Sequence, residues 1–391
     1  MSVRSVIAAL AAVLAVAAGL TGLAAAADPG VTDTEILVGC SNSFSGPLAF
    51  TGEQETKYGM DLYFKVVNDA GGVHGRKIRA VYYDDGYRPQ DAVANTKKLV
   101  EQDRIFAVVG PQGSPPVVAT LEYLEQSRVP LLFPYQSSTA TRSRPLVFSG
   151  LILSDRQSKM MIDVLAGQRK YKKFAAIYQD DEYGKTFLAS FEADLARYNL
   201  KMGATEPVKR GVTDVSAQIA KLRAAAPEVT FLVLTPAPAA QALKERQKIG
   251  WSDTLMVSTG PLTDERYLAL AGEAAEGVEG LAVLPDPVNG TEPGVRLYRE
   301  HMKKYFASNE PNRYSLSGYV FAMLFAEGAK RAGRTLTRER LVKALEGVKG
   351  FETGIIPPIT IGPDHDTQKN GFWVRVEKGH FKQLTDWLKG E

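Results

Sequence analysis

Short, unbroken apolar runs, each followed by a stretch with helical spacing, leave this chain few folds to choose from. Ile36–Cys40, Ile78–Tyr83, Phe106–Val109 and Val129–Phe133 read as strands, with helical patterns over Glu53–Ala70, Pro89–Glu101 and Ser114–Gln126 between them. Strands that are apolar without alternation are buried on both faces. Together with the intervening helices they define a doubly wound parallel α/β sheet. The pattern then restarts. A helix over Ser154–Gln168 leads to strands at Phe174–Tyr178, Thr205–Val208, Thr230–Leu234 and Leu255–Val257, alternating with helices over Gly184–Tyr198, Val215–Ala226 and Ala237–Ile249. At 391 residues two lobes are expected.

The last third is not a third lobe. A strand at Gly280–Leu284 precedes helices over Gly294–Phe306, Ser315–Ala332 and Arg338–Leu345; a hairpin of Phe372–Val376 and Phe381–Leu384 turns at Lys378-Gly379. This tail is too short to bury a core of its own, so it is shared. Crossings between lobes are expected near Phe148–Gly150, Glu276–Gly280 and Thr353–Ile361. One lobe then takes residues 28–148 and 277–353, the other 149–276 and 354–391.

The N-terminus is of another kind. Arg4 is the only charge before Asp28, Val6–Leu23 is apolar, and Ala24–Ala27 supplies small residues. A positive start, an apolar middle and an A-x-A site read as a cleaved signal peptide over 1–27, in preference to a membrane anchor. The mature chain is expected to begin at Asp28 and to be exported. Cys40 ends "LVGC", the tetrapeptide of lipoprotein cleavage sites, but Asp28, Asp33 and Glu35 separate it from the apolar run. Glu35–Cys40 reads better as the first strand, so a lipid anchor is not expected. A single Cys allows no internal disulfide.

Composition excludes several functions. The formal net charge is +3, with no block of like charge, so nucleic acid is not an expected partner. No G-x-G-x-x-G, G-x-x-x-x-G-K-[ST] or G-x-S-x-G motif occurs, and His74, His301, His365 and His380 are isolated from one another. No cofactor, metal site or catalytic apparatus is expected. Asp364-His365-Asp366 reads as a solvated turn. "YYDDGY" at Tyr82–Tyr87 and "YQDDEY" at Tyr178–Tyr183 are a weak internal likeness.

Polar residues cluster instead after the strands, where open α/β sheets bind ligands. "GPQGSPP" runs from Gly110 to Pro116, and "PYQSSTA" from Pro134 to Ala140. Ser114 has two compatible readings. It caps a helix that Pro115 starts, or its hydroxyl donates to an anionic ligand. Pro115 and Pro116 remove two N–H donors, so a carboxylate fits better than a phosphate.

At these residues the sequence resembles the periplasmic substrate-binding proteins of ABC transporters of the branched-chain amino-acid (leucine-isoleucine-valine-binding) family. The likeness runs through "ILVGCSNSFSGPLAFTGEQ", "NDAGGVHGRKIRAVYYDD", "AVVGPQGS", "YQDDEYGK", "LAGEAAEGVEG" and "NGFWVRVEKG". It implies the type I periplasmic binding protein fold, two Rossmann-like lobes joined by three crossovers, and a small-molecule solute between them. The implied partner is a membrane permease, with the protein a monomer. It places Gln112, Gly113 and Ser114 at a ligand carboxylate, with Tyr135, Gln136 and Ser137 on a second loop for that group. It also places Phe50 and Thr51 at the side-chain pocket, Tyr183, Thr235 and Pro236 on the second-lobe wall, and Gly260 and Pro261 where amino-acid binders carry an acidic residue for the ammonium. Glycine at 260 departs from that pattern. A buried ammonium without a carboxylate is costly, so an aromatic or aliphatic acid, or an amide-like solute, stands beside leucine as a ligand. A binding protein for a receptor, or an exported enzyme of doubly wound fold, are the alternative functions.

Overall fold

The computed structural model describes residues 28–46, 56–212 and 214–390. The first sheet holds β1 (Glu35–Asn42), β2 (Lys77–Asp84), β3 (Ala107–Val109), β4 (Leu131–Leu132) and β5 (Val147–Phe148). Its order is β2-β1-β3-β4-β5, parallel throughout. The helices α1 (Lys57–Asp69), α2 (Pro89–Glu101) and α3 (Ser114–Gln126) connect its strands. The unbroken burial of β3 and the near-complete burial of β1 account for the apolar runs. Cys40 lies inside β1 in this core, and burial pushes its thiol pKa well up.

The second sheet begins with β6 (Phe174–Gln179), β7 (Met202–Val208), β8 (Val229–Val233) and β9 (Leu255–Ser258). It continues with β10 (Glu279–Ala282), β11 (Asn370–Glu377) and β12 (His380–Gln383), and β13 (Leu388–Lys389) pairs with β11. The order is β12-β11-β10-β9-β8-β6-β7, with β11 antiparallel to β10. Its helices are α4 (Ser154–Ile162), α5 (Glu182–Ala196), α6 (Ser216–Ala224), α7 (Pro236–Lys248) and α8 (Glu265–Ala271). The β11–β12 hairpin turns at Lys378 and Gly379, both at positive φ, as a tight two-residue turn requires.

The boundary expected at 277 is corrected by β10. This strand hydrogen-bonds to β9 and β11, so it belongs to the second sheet. The chain returns to the first lobe only afterwards, through α9 (Pro293–Tyr305), α10 (Arg313–Ala332) and α11 (Arg338–Glu346). α10 is apolar almost all round because it is buried almost all round. It packs on α1 so closely that a Cβ at Gly318 would stand 2.1 Å from the Thr56 carbonyl oxygen. That contact carries the first turn of α10 to the space between the lobes.

The first and third crossovers run side by side. Ser149 N–H donates to the His365 carbonyl at 3.0 Å, and the Thr367 hydroxyl donates to the Ser149 carbonyl at 2.6 Å. The His365 ring stacks on Phe148 with centroids 4.1 Å apart. The Asp366 carboxylate is held by Arg142 at 3.0 Å and Arg156 at 2.8 Å. The turn expected to be solvated is therefore buried, with His365 at 6% and Asp366 at 1% exposure. Chain segments packed against each other need partners for their polar groups, and this motif finds them in residues remote in sequence. Asp366→Ala leaves two half-buried guanidinium groups without their shared carboxylate. Urea denaturation is expected to show a loss of about 3 kcal/mol. Glu125→Ala, which breaks the exposed Arg144–Glu125 pair, is expected to cost under about 1 kcal/mol.

Candidate functional site

A sheet of order β2-β1-β3 opens a crevice at the carboxyl ends of its strands, where successive connections leave in opposite directions. The order β7-β6-β8 repeats this in the second sheet, and the two crevices face each other. Between them lies a cavity open to solvent, with about 420 Å³ of empty space counting its mouth. Gln112, Gly113 and Ser114 reach it from the loop after β3, and Tyr135, Gln136 and Ser137 from the loop after β4. Tyr183 comes from the start of α5, Leu234, Thr235 and Pro236 from the end of β8 and start of α7, and Pro261 from the turn after β9. Tyr87, Leu151 and Tyr314 complete the wall. Gly260 is buried beside Pro261 without lining the cavity. Phe50 and Thr51 lie outside the described residues.

Ser114 is not a helix cap. The N-cap position of α3 belongs to Gly113, and no side-chain cap bond forms. The Ser114 hydroxyl oxygen instead accepts the Ser137 N–H at 3.2 Å, tying the loops after β3 and β4 together. Gly113 has φ +92°, and a Cβ there would come within 2.4 Å of the Tyr87 ring. Only glycine allows both the turn and the close approach of that ring. Gln136 lines the cavity, yet its amide serves its own loop. Its oxygen accepts the Ser138 N–H, and its nitrogen donates to the Thr141 hydroxyl at 2.8 Å.

Tyrosines dominate the wall. The Tyr135 and Tyr314 rings pack with centroids 5.2 Å apart, and the Tyr314 hydroxyl donates to the Pro261 carbonyl at 2.7 Å. The Tyr183 hydroxyl meets the Thr259 hydroxyl at 2.7 Å. Burial raises the pKa of Tyr87, Tyr135, Tyr183 and Tyr314, which keeps all four as neutral phenols. Tyr87 also bridges the lobes. Its hydroxyl accepts from Gln179 at 3.3 Å and its carbonyl from Arg210. A further bond across the cleft runs from the Ser138 hydroxyl to Glu182.

No charged side chain lines the cavity among the described residues. The acidic residues after β6 are otherwise engaged: Asp180 pairs with Lys185, Asp181 caps α5 through the Tyr183 and Gly184 N–H groups, and Glu182 meets Ser138. No group of three or more potential metal ligands occurs among the described residues.

Tyr87, Leu151, Leu234 and Tyr314 join the site without having been expected there from the sequence. Tyr87 stands in the "YYDDGY" string, whose counterpart supplies its partner Gln179. Tyr314 stands just before the helix expected over Ser315–Ala332, and nothing in that pattern marks it.

Two doubly wound lobes with facing switch points around one neutral cavity define a solute-binding architecture. The chain belongs to the periplasmic binding protein family, whose model matches residues 35–380. It is 28% identical over 305 residues to an amino acid binding protein of Pseudomonas aeruginosa, covering 76% of this chain and 79% of that one. A valine-bound branched-chain amino acid ABC transporter protein from Thermus thermophilus superposes with a TM-score of 0.83 at 18% identity, covering 92% of this chain and 97% of that one. A benzoate-bound solute-binding protein of an ABC transporter from R. palustris superposes at 0.80 with 18% identity, covering 90% and 95%.

One buried carboxylate stands behind the wall. Asp264 caps α8 by accepting the Arg266 N–H at 2.9 Å, and it accepts the Arg313 N–H at 3.1 Å where α10 begins. Burial, with Glu265 adding to it, pushes its pKa up to about 7. The native state thus holds this proton more tightly than the unfolded chain does. The group's contribution to stability is complete below about pH 4 and is lost as pH rises toward 7. Urea midpoints at several pH values are expected to fall less steeply with pH in Asp264→Asn than in the wild type, with the remaining slope left to Asp85, Asp181 and Asp194, whose carboxyl pKa values burial also raises.

Proposed function

We propose that this protein captures a small carboxylate-bearing solute with an uncharged body and delivers it to the membrane permease of an ABC transporter. The observation that carries the reading is the polarity of the cavity. The Ser114 and Ser137 hydroxyls and the Ser114 N–H at the start of α3 offer donors to an anion. Tyrosine, leucine and proline make most of the rest of the wall, with the neutral Gln112, Gln136 and Thr235 among them, and no carboxylate for an ammonium lines it among the described residues. The same fold holds valine in one structural neighbour and benzoate in another. Here the neutral wall favours the acid that lacks an α-amine. Tyr135 and Tyr314 suit a flat or branched apolar body.

Residues 1–27 export the chain to the periplasm as a cleaved leader. The lobes close over the solute by bending at the crossovers, and the bonds from Tyr87 and Ser138 across the cleft hold the closed form. The protein acts as a monomeric binder, not an enzyme.

Residues 28–391, unfolded and refolded to remove any retained solute, test this by thermal shift with leucine, valine, phenylalanine, 4-methylpentanoate, octanoate and benzoate. A ligand at 100 times its Kd stabilises by about 2.7 kcal/mol. The acids are expected to raise the melting temperature and the amino acids to leave it unchanged. A shift with amino acids alone would overturn the reading. Ser114→Ala is expected to weaken acid binding by about 1–3 kcal/mol in calorimetry, and to lower the melting temperature of the unliganded protein as well, since the buried Ser137 N–H loses its acceptor.

A further inference from the structure

We infer that Gln157 is a positioning residue that fixes the Ser137 hydroxyl as a donor toward the ligand, beside that of Ser114, and so sets the preference for a carboxylate. The inference rests on the carboxylate reading above.

Gln157 lies on α4, fully buried behind the cavity wall. Its amide has one possible orientation. The Gly260 N–H can only donate, and it stands 3.0 Å from Oε1. The Ile152 carbonyl can only accept, and it stands 2.6 Å from Nε2. The second Nε2 proton is left for the Ser137 hydroxyl oxygen at 3.4 Å. Independently of Gln157, the Ser137 backbone N–H, which can only donate, points at the Ser114 hydroxyl oxygen at 3.2 Å. Each hydroxyl therefore receives an N–H, and neither donates to a protein acceptor among the described residues. Each keeps its one proton for whatever enters the cavity.

The relay joins the turn after β9, the start of α4 and the loops after β4 and β3, so it spans both lobes. It also explains the glycine at 260. A Cβ there would stand 2.8 Å from the Gln157 Oε1 and displace it. Gly260 and Gln157 are a matched pair. A pair of hydroxyl donors suits both oxygens of a carboxylate. A primary amide brings one oxygen to that pair instead of two, and an ammonium leaves both donated protons unused.

The test compares benzoate with benzamide in wild type and Gln157→Glu by calorimetry from pH 8 to pH 5.5. The introduced carboxylate still accepts from Gly260 but gives Ser137 no proton. Ser137 then donates to that carboxylate, and the ligand loses a donor while facing a buried negative charge. Benzoate affinity at pH 8 is expected to fall about tenfold or more, with benzamide changed about twofold at most. As pH falls and the introduced carboxylate takes up a proton, benzoate affinity should recover, whereas wild type should stay flat. A role in packing alone would weaken both ligands equally with no pH dependence, and that result, or wild-type selectivity in a folded variant, would overturn the inference.

Should Gln157→Glu not fold, Gly260→Ala reaches the relay from its other end. It is expected to lower the benzoate-to-benzamide affinity ratio, and an unchanged ratio would count against the relay. If wild type binds leucine and not benzoate, the reading of an acid without an amine fails by itself. The relay is then tested with leucine and leucinamide, since leucine brings the same carboxylate. If wild type binds neither leucine nor benzoate, the carboxylate reading fails and the relay falls with it.

Discussion

β1 pairs with β2 on one side and β3 on the other, and most of the site follows from that placement. Connections leaving a central strand in opposite directions cannot cover its carboxyl end, so a crevice opens there. β6 holds the same place between β7 and β8. Two crevices brought face to face make one cavity whose walls come from different lobes. The crossovers hold them in register, and the Asp366 carboxylate between Arg142 and Arg156 fixes the first crossover to the third. The cleft is spanned by single bonds between side chains and loops.

The polarity of the cavity reflects a choice between ions and dipoles. A buried cation would bind an anion strongly but would stand uncompensated whenever the cleft was empty. Hydroxyls, an amide relay and a helix terminus carry no net charge, so the empty site costs little to bury. They still discriminate, because a donor in a low-dielectric pocket rejects another donor as firmly as it accepts an oxygen. The ionisable groups near the site fit this pattern. Asp181 and Glu182 are engaged in a helix cap and a cross-lobe bond, and Asp264 is pushed up toward a neutral state by its burial.

Much of the architecture is legible in the sequence because strands buried on both faces write unbroken apolar runs. The loops after β3 and β4 are legible as polar stops at the carboxyl ends of those runs. Other features are hidden for definite reasons. Ser114 looks like a helix cap, but Gly113 at positive φ takes that position, and only the backbone conformation decides it. The sequence reading puts β10 in the wrong lobe because its membership depends on pairing with β9 and β11. Asp364-His365-Asp366 has the composition of a surface turn, and its burial depends on Phe148, Arg142 and Arg156, far away in the chain. Tyr314 sits in a helix that is apolar for packing reasons, so nothing marks it as a wall residue. Gln157 carries no local signal, since its role exists only where four segments meet.

The central claim is that a carboxylate is held by two hydroxyl donors without a counter-charge. A crystal structure of residues 28–391 with the solute retained through purification tests it most directly. The account predicts a carboxylate with its oxygens within hydrogen-bonding distance of the Ser114 and Ser137 hydroxyls, and an uncharged body against Tyr135 and Tyr314. A solute whose ammonium or other cation points at those hydroxyls, or whose carboxylate is held by an arginine or lysine elsewhere, would contradict it.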